Sequence, residues 1–219
     1  MAEHETSTAR KSLFRALWRE RLHIEPTASD LSPSAVRHRF AHALEPADRL
    51  LEMLTPFPSG LLRLWLAAPG GHVVFTHRPT AYRPEPQLYH REMLEGVCFV
   101  ALSDLMQDQE AVLLALTSLL DHLMGGGASS GGPYFSDGHG VTPALAEAAG
   151  RFVRIHDLGY GHDELGVHSA RDYFAHTLRL YLRDERRLNV LDPQVQRLYR
   201  HTLMSEAFWE REDALSFTF

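Results

Sequence analysis

The chain contains a single cysteine, Cys98, among 219 residues, which excludes an internal disulfide and any cysteine-based zinc cluster. Cys98 sits in Val97-Cys98-Phe99-Val100 with no cation beside it in the sequence. A reactive thiol wants cationic neighbours, so Cys98 reads as a core residue. Long apolar runs are also missing. The longest, Ala111 to Leu120, is too short to cross a bilayer and is interrupted by Thr117 and Ser118. Acidic and polar residues follow Met1 where a secretory leader would be basic and then apolar. The expectation is a cytoplasmic chain with no transmembrane segment. Nor is there an excess of positive charge: 28 acidic against 22 basic residues leave a formal net charge of −6. Nucleic acid, whose binding is dominated by an extended basic surface, is therefore not an expected partner. Asp137-Gly138-His139-Gly140 and Gly159-Tyr160-Gly161-His162-Asp163 have the composition of turns and match no phosphate-binding spacing. No serine stands in a nucleophile-elbow context.

What is present is globular. An apolar fraction of 44% and a charged fraction of 23% are ordinary for a folded domain, and the length suits one core with appended helices. Residues 1–25 read as an N-terminal amphipathic helix. Arg10, Lys11, Arg15, Arg19 and Arg21 alternate with Leu13, Phe14, Leu17, Trp18 and Leu22 at helical spacing. Such a helix is expected to dock on its own domain more than on a membrane, Glu20 diluting its charge. Its apolar residues Leu13, Phe14, Leu17 and Trp18 are the candidate contacts to a protein partner.

A single domain is expected over residues 34–211. Pro26 to Pro33 is a polar connector, and Ser34 to Leu54 reads as two short helices broken near Glu45-Pro46. Leu61 to Leu66 and His72 to Thr76 are short, apolar and β-prone around Pro69-Gly70-Gly71, which suggests a β-hairpin. Thr76 to Pro86, with its three prolines, reads as an irregular loop, and Gly96 to Leu102 as a third strand. Ser103 or Asp104 is placed to cap a central helix over Gln107 to Met124, which stops at Gly125-Gly126-Gly127. The Gly/Ser-rich stretch from Gly125 to Gly132 suggests a mobile loop. Further helices are expected over Thr142 to Ile155, Ser169 to Arg187, and from Asp192-Pro193 to about Arg211.

A buried helix ending in a histidine, then a long connection, then a helix opening with a carboxylate is the skeleton of a zinc-hydrolase site. Such a site needs two histidines one turn apart, a general-base glutamate between them, and a third ligand from another helix. Ala170-Arg171-Asp172-Tyr173-Phe174-Ala175-His176-Thr177-Leu178-Arg179-Leu180-Tyr181 resembles the downstream ligand helix of the anthrax lethal factor family of zinc peptidases, with a carboxylate followed by aromatic-Phe-Ala. The segment His122-Leu123-Met124-Gly125-Gly126 superposes on that family's His-Glu-x-Gly-His. The resemblance spans roughly Gly96 to Trp209 and implies a zincin-like α+β fold, a small sheet packed on a mostly helical domain around a degenerate active-site helix.

Carried over by position, His122 keeps the first zinc ligand and Asp172 replaces a glutamate ligand. Leu123 stands at the general base and Gly126 at the second histidine. Leucine cannot accept a proton and glycine offers no donor. The oxyanion-stabilising tyrosine has no clear counterpart, Tyr160 being nearest. The same residues also have plain structural readings: His122 as a helix C-terminal group, and Ser169 with Asp172 as a capping box. Asp172 and His176, four apart on one helix face, leave open a rearranged metal set of His122, Asp172 and His176 joined by a loop histidine such as His139, His156, His162 or His168. The leading expectation is a catalytically inactive, metallopeptidase-like domain that binds a protein or peptide, with zinc not expected. The alternatives are a metal-dependent hydrolase using the rearranged set, and a helical interaction or assembly module unrelated to peptidases.

Overall fold

The computed structural model describes residues 2–40, 42, 45–211, 217 and 219. The chain is α+β. It opens with helix α1 (Ala2–Arg21), strand β1 (Leu22–Ile24) and helices α2 (Ser34–Arg39), α3 (Glu45–Met53) and α4 (Ser59–Ala67). Strands β2 (His72–Thr76), β3 (Ala81–Arg83), β4 (Gln87–Tyr89), β5 (Glu92–Leu94) and β6 (Val97–Ala101) follow. The remainder is helical: α5 (Leu102–Gln107), α6 (Gln109–Gly126), a 3-10 turn at Phe135–Asp137, α7 (Pro143–His156), α8 (His162–Leu165), α9 (Ala170–Leu191), α10 (Pro193–His201) and α11 (Glu206–Trp209).

The main sheet has the order β1-β2-β6-β3, with β1, β2 and β6 parallel and β3 antiparallel. β4 and β5 form a separate hairpin. In β2 and β6, Val73, Val74, Phe75, Val97, Cys98 and Val100 are all buried, the continuous apolar pattern of strands covered on both faces. Cys98 lies wholly inside, and burial pushes its thiol pKa well up, as its apolar setting implied. The helix against which this sheet and α9 close is α6, which carries twelve buried residues from Val112 to Gly125. Thr117 Oγ1 donates to Ala175 O of α9 at 3.0 Å, a buried hydroxyl satisfied across the helix–helix contact.

The expected hairpin at Leu61 to Thr76 is corrected: its first arm is helix α4. Leu61, Leu62, Leu64 and Trp65 are buried while Arg63 is exposed, and burial at i, i+1, i+3 and i+4 is a helical face. A short apolar run does not by its own pattern distinguish a buried helix from a strand. Pro69 to Gly71 leads into β2, and Trp65 Nε1 donates to Gly71 O at 2.7 Å. The expected irregular loop of Thr76 to Pro86 contains β3, whose three residues fall between Pro79 and Pro84, so no ladder position is taken by a proline. β1, β4 and β5 carry no pattern that the sequence reading could use, each having three residues. The central helix begins later than expected. Leu102–Gln107 forms its own helix, and Asp108 caps α6 by accepting from Ala111 N.

Helix α1 docks as its pattern implied. Leu17 is fully buried, Leu13 and Phe14 are half-buried, and Trp18 remains 41% exposed; Met1 lies outside the described residues. Arg10 donates to Phe57 O at 2.7 Å. Arg21 is buried and donates to Leu66 O, Ala68 O and Gly70 O at 2.7, 2.6 and 3.2 Å. A cation among the last carbonyls of α4 is favourable both for its hydrogen bonds and for the helix dipole.

On the adjoining strands, His23 Nε2 and His72 Nδ1 are 3.0 Å apart. Burial, with Arg21 and His23 nearby, lowers the His72 pKa to about 4. The unfolded chain therefore binds this proton from pH 6.5 downward while the folded chain refuses it until about pH 4, so stability is lost as pH falls through that window. His72→Gln should flatten the fall in urea midpoint between pH 6.5 and 4.

Candidate functional site

The last turn of α6 holds His122 and Leu123, two of the positions that sequence reading marked for chemistry, directly after Asp121. Asp121, His122 and Leu123 are all buried. His122 Nδ1 lies 2.5 Å from Tyr82 Oη of β3, and its Nε2 lies 3.1 Å from Gly132 O. A carbonyl can only accept, so Nε2 carries the proton and Nδ1 accepts from the phenol. The ring is thereby fixed as one neutral tautomer. Burial agrees with this assignment, lowering the His122 pKa and raising that of Tyr82.

Tyr134 stacks on the His122 imidazole, with centroids 4.2 Å apart and planes within 6°. Arg171, at the start of α9, lies 3.7 Å over the same tyrosine ring. Two groups so near one ring must take its opposite faces, so Tyr134 is sandwiched between His122 and Arg171. Arg171 is in turn held by Asp137 at 2.6 Å. The ends of α6 and α9 are thus joined through an aromatic ring and a cation–π contact.

Asp121 faces the other way. Its oxygens accept from Ser136 N at 2.7 Å and Ser136 Oγ at 2.6 Å. Burial dominates these bonds and raises its pKa to about 7.

The positions that matter for zinc are filled by packing. Leu123 is fully buried in the main core. At Gly126, an added Cβ would lie 2.6 Å from Pro133 Cδ and 2.9 Å from Pro133 N, and at Gly125 it would run into the Tyr134–Phe135 peptide. The helix end closes at Gly127, with φ of 68°, the left-handed conformation that glycine adopts without strain. The stretch expected to be a mobile loop is fastened at several points. Gly70 N donates to Gly127 O at 3.1 Å, Ser130 N donates to Glu95 Oε2 at 2.8 Å, and Gly132 O receives His122. Gly125 and Gly126 serve the close approach of backbones.

Asp172 is exposed and engaged in the cap: Ser169 Oγ accepts from Asp172 N at 3.0 Å and donates to Asp172 Oδ2 at 2.7 Å. His176, half-buried one turn on, has a pKa lowered by burial and by Arg179, with Asp172 opposing. Among the described residues, no three of His, Cys, Asp and Glu come together in a grouping able to hold a metal ion. With both His122 nitrogens engaged, the residues here do not fit a zinc ion. The loop histidines gather elsewhere. The His156 and His162 rings are 4.6 Å apart and those of His162 and His168 6.4 Å, beside Tyr173. Tyr173 Oη donates to the buried Asp192 at 2.6 Å. Tyr160, the nearest candidate for an oxyanion tyrosine, is 53% exposed, and its carbonyl lies 3.0 Å from Tyr173 Oη.

Sequence reasoning missed Tyr82, Tyr134, Ser136 and Arg171. Tyr82 lies within the stretch that reads as an irregular loop, and no spacing rule links it to a histidine forty positions on.

The fold and the site define an α+β protein with a neutral histidine locked between two tyrosines at a helix end. Comparison of the chain with protein-family models, curated proteins and solved structures found no match.

Asp121 yields a test with a definite sign. Between pH 3.8 and about 7 the folded chain holds a proton that the unfolded chain has released, so this carboxyl subtracts stability as pH rises through that window. Asp121→Asn retains an acceptor for Ser136 N without the charge. Its stability relative to wild type, measured by urea unfolding, should increase from pH 5 to pH 8.

Proposed function

We propose that this protein is a catalytically inactive, metallopeptidase-like domain of zincin type that works by binding a protein or peptide. The observation that carries this reading is the closure of the α6 terminus. Residues 133–135 cross directly over Gly125 and Gly126, and Tyr134 covers the His122 ring. The arrangement is what remains when a ligand helix and its partner keep their mutual packing and aromatic groups take over the donor set. Supporting it are the order of elements, with α6 leading to α9 through a long connection, and their direct packing at Thr117 and Ala175. A buried leucine at the general-base position can neither polarise a water nor take its proton. Partner contacts are assigned to helix α1, where Phe14 and Trp18 retain exposed surface beside the fully docked Leu17.

The reading is tested by metal content and hydrolysis. Protein purified without chelators should contain far less than one zinc per chain by mass spectrometry, and a casein substrate should be cleaved no faster with it than without. Stoichiometric zinc that is lost in His122→Ala would overturn the proposal.

Restoring the motif should also fail. Leu123→Glu with Gly126→His places a charge in the core and a side chain against Pro133, so the double variant should unfold at lower urea. Overpacking alone costs about 1–3 kcal/mol. It should gain no zinc affinity by calorimetry.

A further inference from the structure

Helix α1 spends only part of its apolar face on the body of the protein. Between α1 and α3 lies a groove of about 330 Å³ lined by Lys11, Phe14, Arg15, Trp18, Asp48 and Leu51. Its apolar lining is Phe14, Leu51 and Trp18, and Trp18 keeps 41% of its surface exposed. A tryptophan left in that state is a typical anchor of an interface, supplying large contact area from a rigid ring.

The rim carries both signs of charge, one on each wall: Lys11 and Arg15 on α1, Asp48 on α3. Among the described residues, none of these three has an ion pair within the chain, whereas Arg10 and Arg19 on the same helix do. An anionic membrane, or a partner segment that is acidic throughout, would satisfy the two cations and oppose Asp48. A second copy of this chain supplies both signs at the same spacing. In an interface with twofold symmetry, a contact from one wall to the other is made twice. Charge complementarity therefore favours this occupant over an anionic membrane or a wholly acidic segment, even though the chain as a whole carries −6.

We propose that the groove is the interface between two copies of this chain. Trp18 of each copy seats against Phe14 and Leu51 of the other, and Lys11 and Arg15 of each face the partner's Asp48. The proposal rests on the assignment of partner contacts to α1 made above, and not on the loss of the zinc site.

Sedimentation velocity of the full-length chain, with a monomer mass of 24.8 kDa, tests it. The wild type should form a reversible dimer. Trp18→Ala should weaken it at least about tenfold, as loss of an aromatic anchor does. Asp48→Lys should weaken it similarly, and Asp48→Lys combined with Lys11→Asp and Arg15→Asp should restore it, because the exchange preserves complementarity. Circular dichroism of each variant checks that the fold is intact; all four substituted residues are exposed. A monomer at every concentration up to about 200 µM, well above the micromolar range of weak specific complexes, would overturn the proposal. So would a dimer indifferent to all of these changes, or a monomer that sediments only with vesicles containing phosphatidylserine. The zinc and hydrolysis measurements are independent of this result: a zinc-free monomer defeats the dimer alone, and a zinc-loaded dimer defeats the pseudopeptidase reading alone.

Discussion

Two consecutive glycines on the last turn of α6 let another stretch of backbone lie directly on the helix. Residues 133–135 approach Gly125 and Gly126 so closely that no Cβ fits at either position. That contact sets the position of Tyr134, and Tyr134 in turn sets the His122 ring on one face and meets Arg171 on the other. The neighbouring residue of the same crossing, Ser136, satisfies Asp121 with two hydrogen bonds. Buried polar groups are tolerated only when their partners are present. Asp121 and His122 are both satisfied from segments that the glycines allow to come near.

This constraint relates packing to chemistry. A histidine with one nitrogen donating to Gly132 O and the other accepting from Tyr82 has no free lone pair, and its ring is held from moving by stacking. The same crossing that stabilises the helix end removes the space in which a second histidine would stand. A glycine at position 126 gives the close approach, and the close approach excludes a ligand there. Asp172 shows the complementary outcome: a carboxylate at a helix start that is fully explained by the cap it makes with Ser169.

Much of the helical part was legible in the sequence. Thr142, Ser169 and Asp192 each cap the helix that follows, and two of these helices carry proline at the first turn. These are local signals, readable from a few adjacent residues. Leu17 at the centre of an amphipathic pattern was legible for the same reason. The α4 segment was not, because an apolar run of six residues is buried either as helix or as strand and only its surroundings choose. The three-residue strands were illegible too, since each is held by partners distant in the chain: β1 by β2, and β3 by β6.

By itself, the sequence determined the chemical inventory: one thiol in an apolar setting, a histidine at the end of an apolar helix, and a leucine and glycines directly after it. It also determined where α7, α9 and α10 begin, because capping and periodicity act within a turn or two of chain. Only the tertiary structure decided what His122 does. Its partners Tyr82, Gly132 and Tyr134 come from a strand and a loop separated from it in sequence, and their approach depends on how the sheet, α6 and α9 close on one another. Hydrogen bonds and stacking act over a few ångströms of space, and no spacing along the chain encodes that distance.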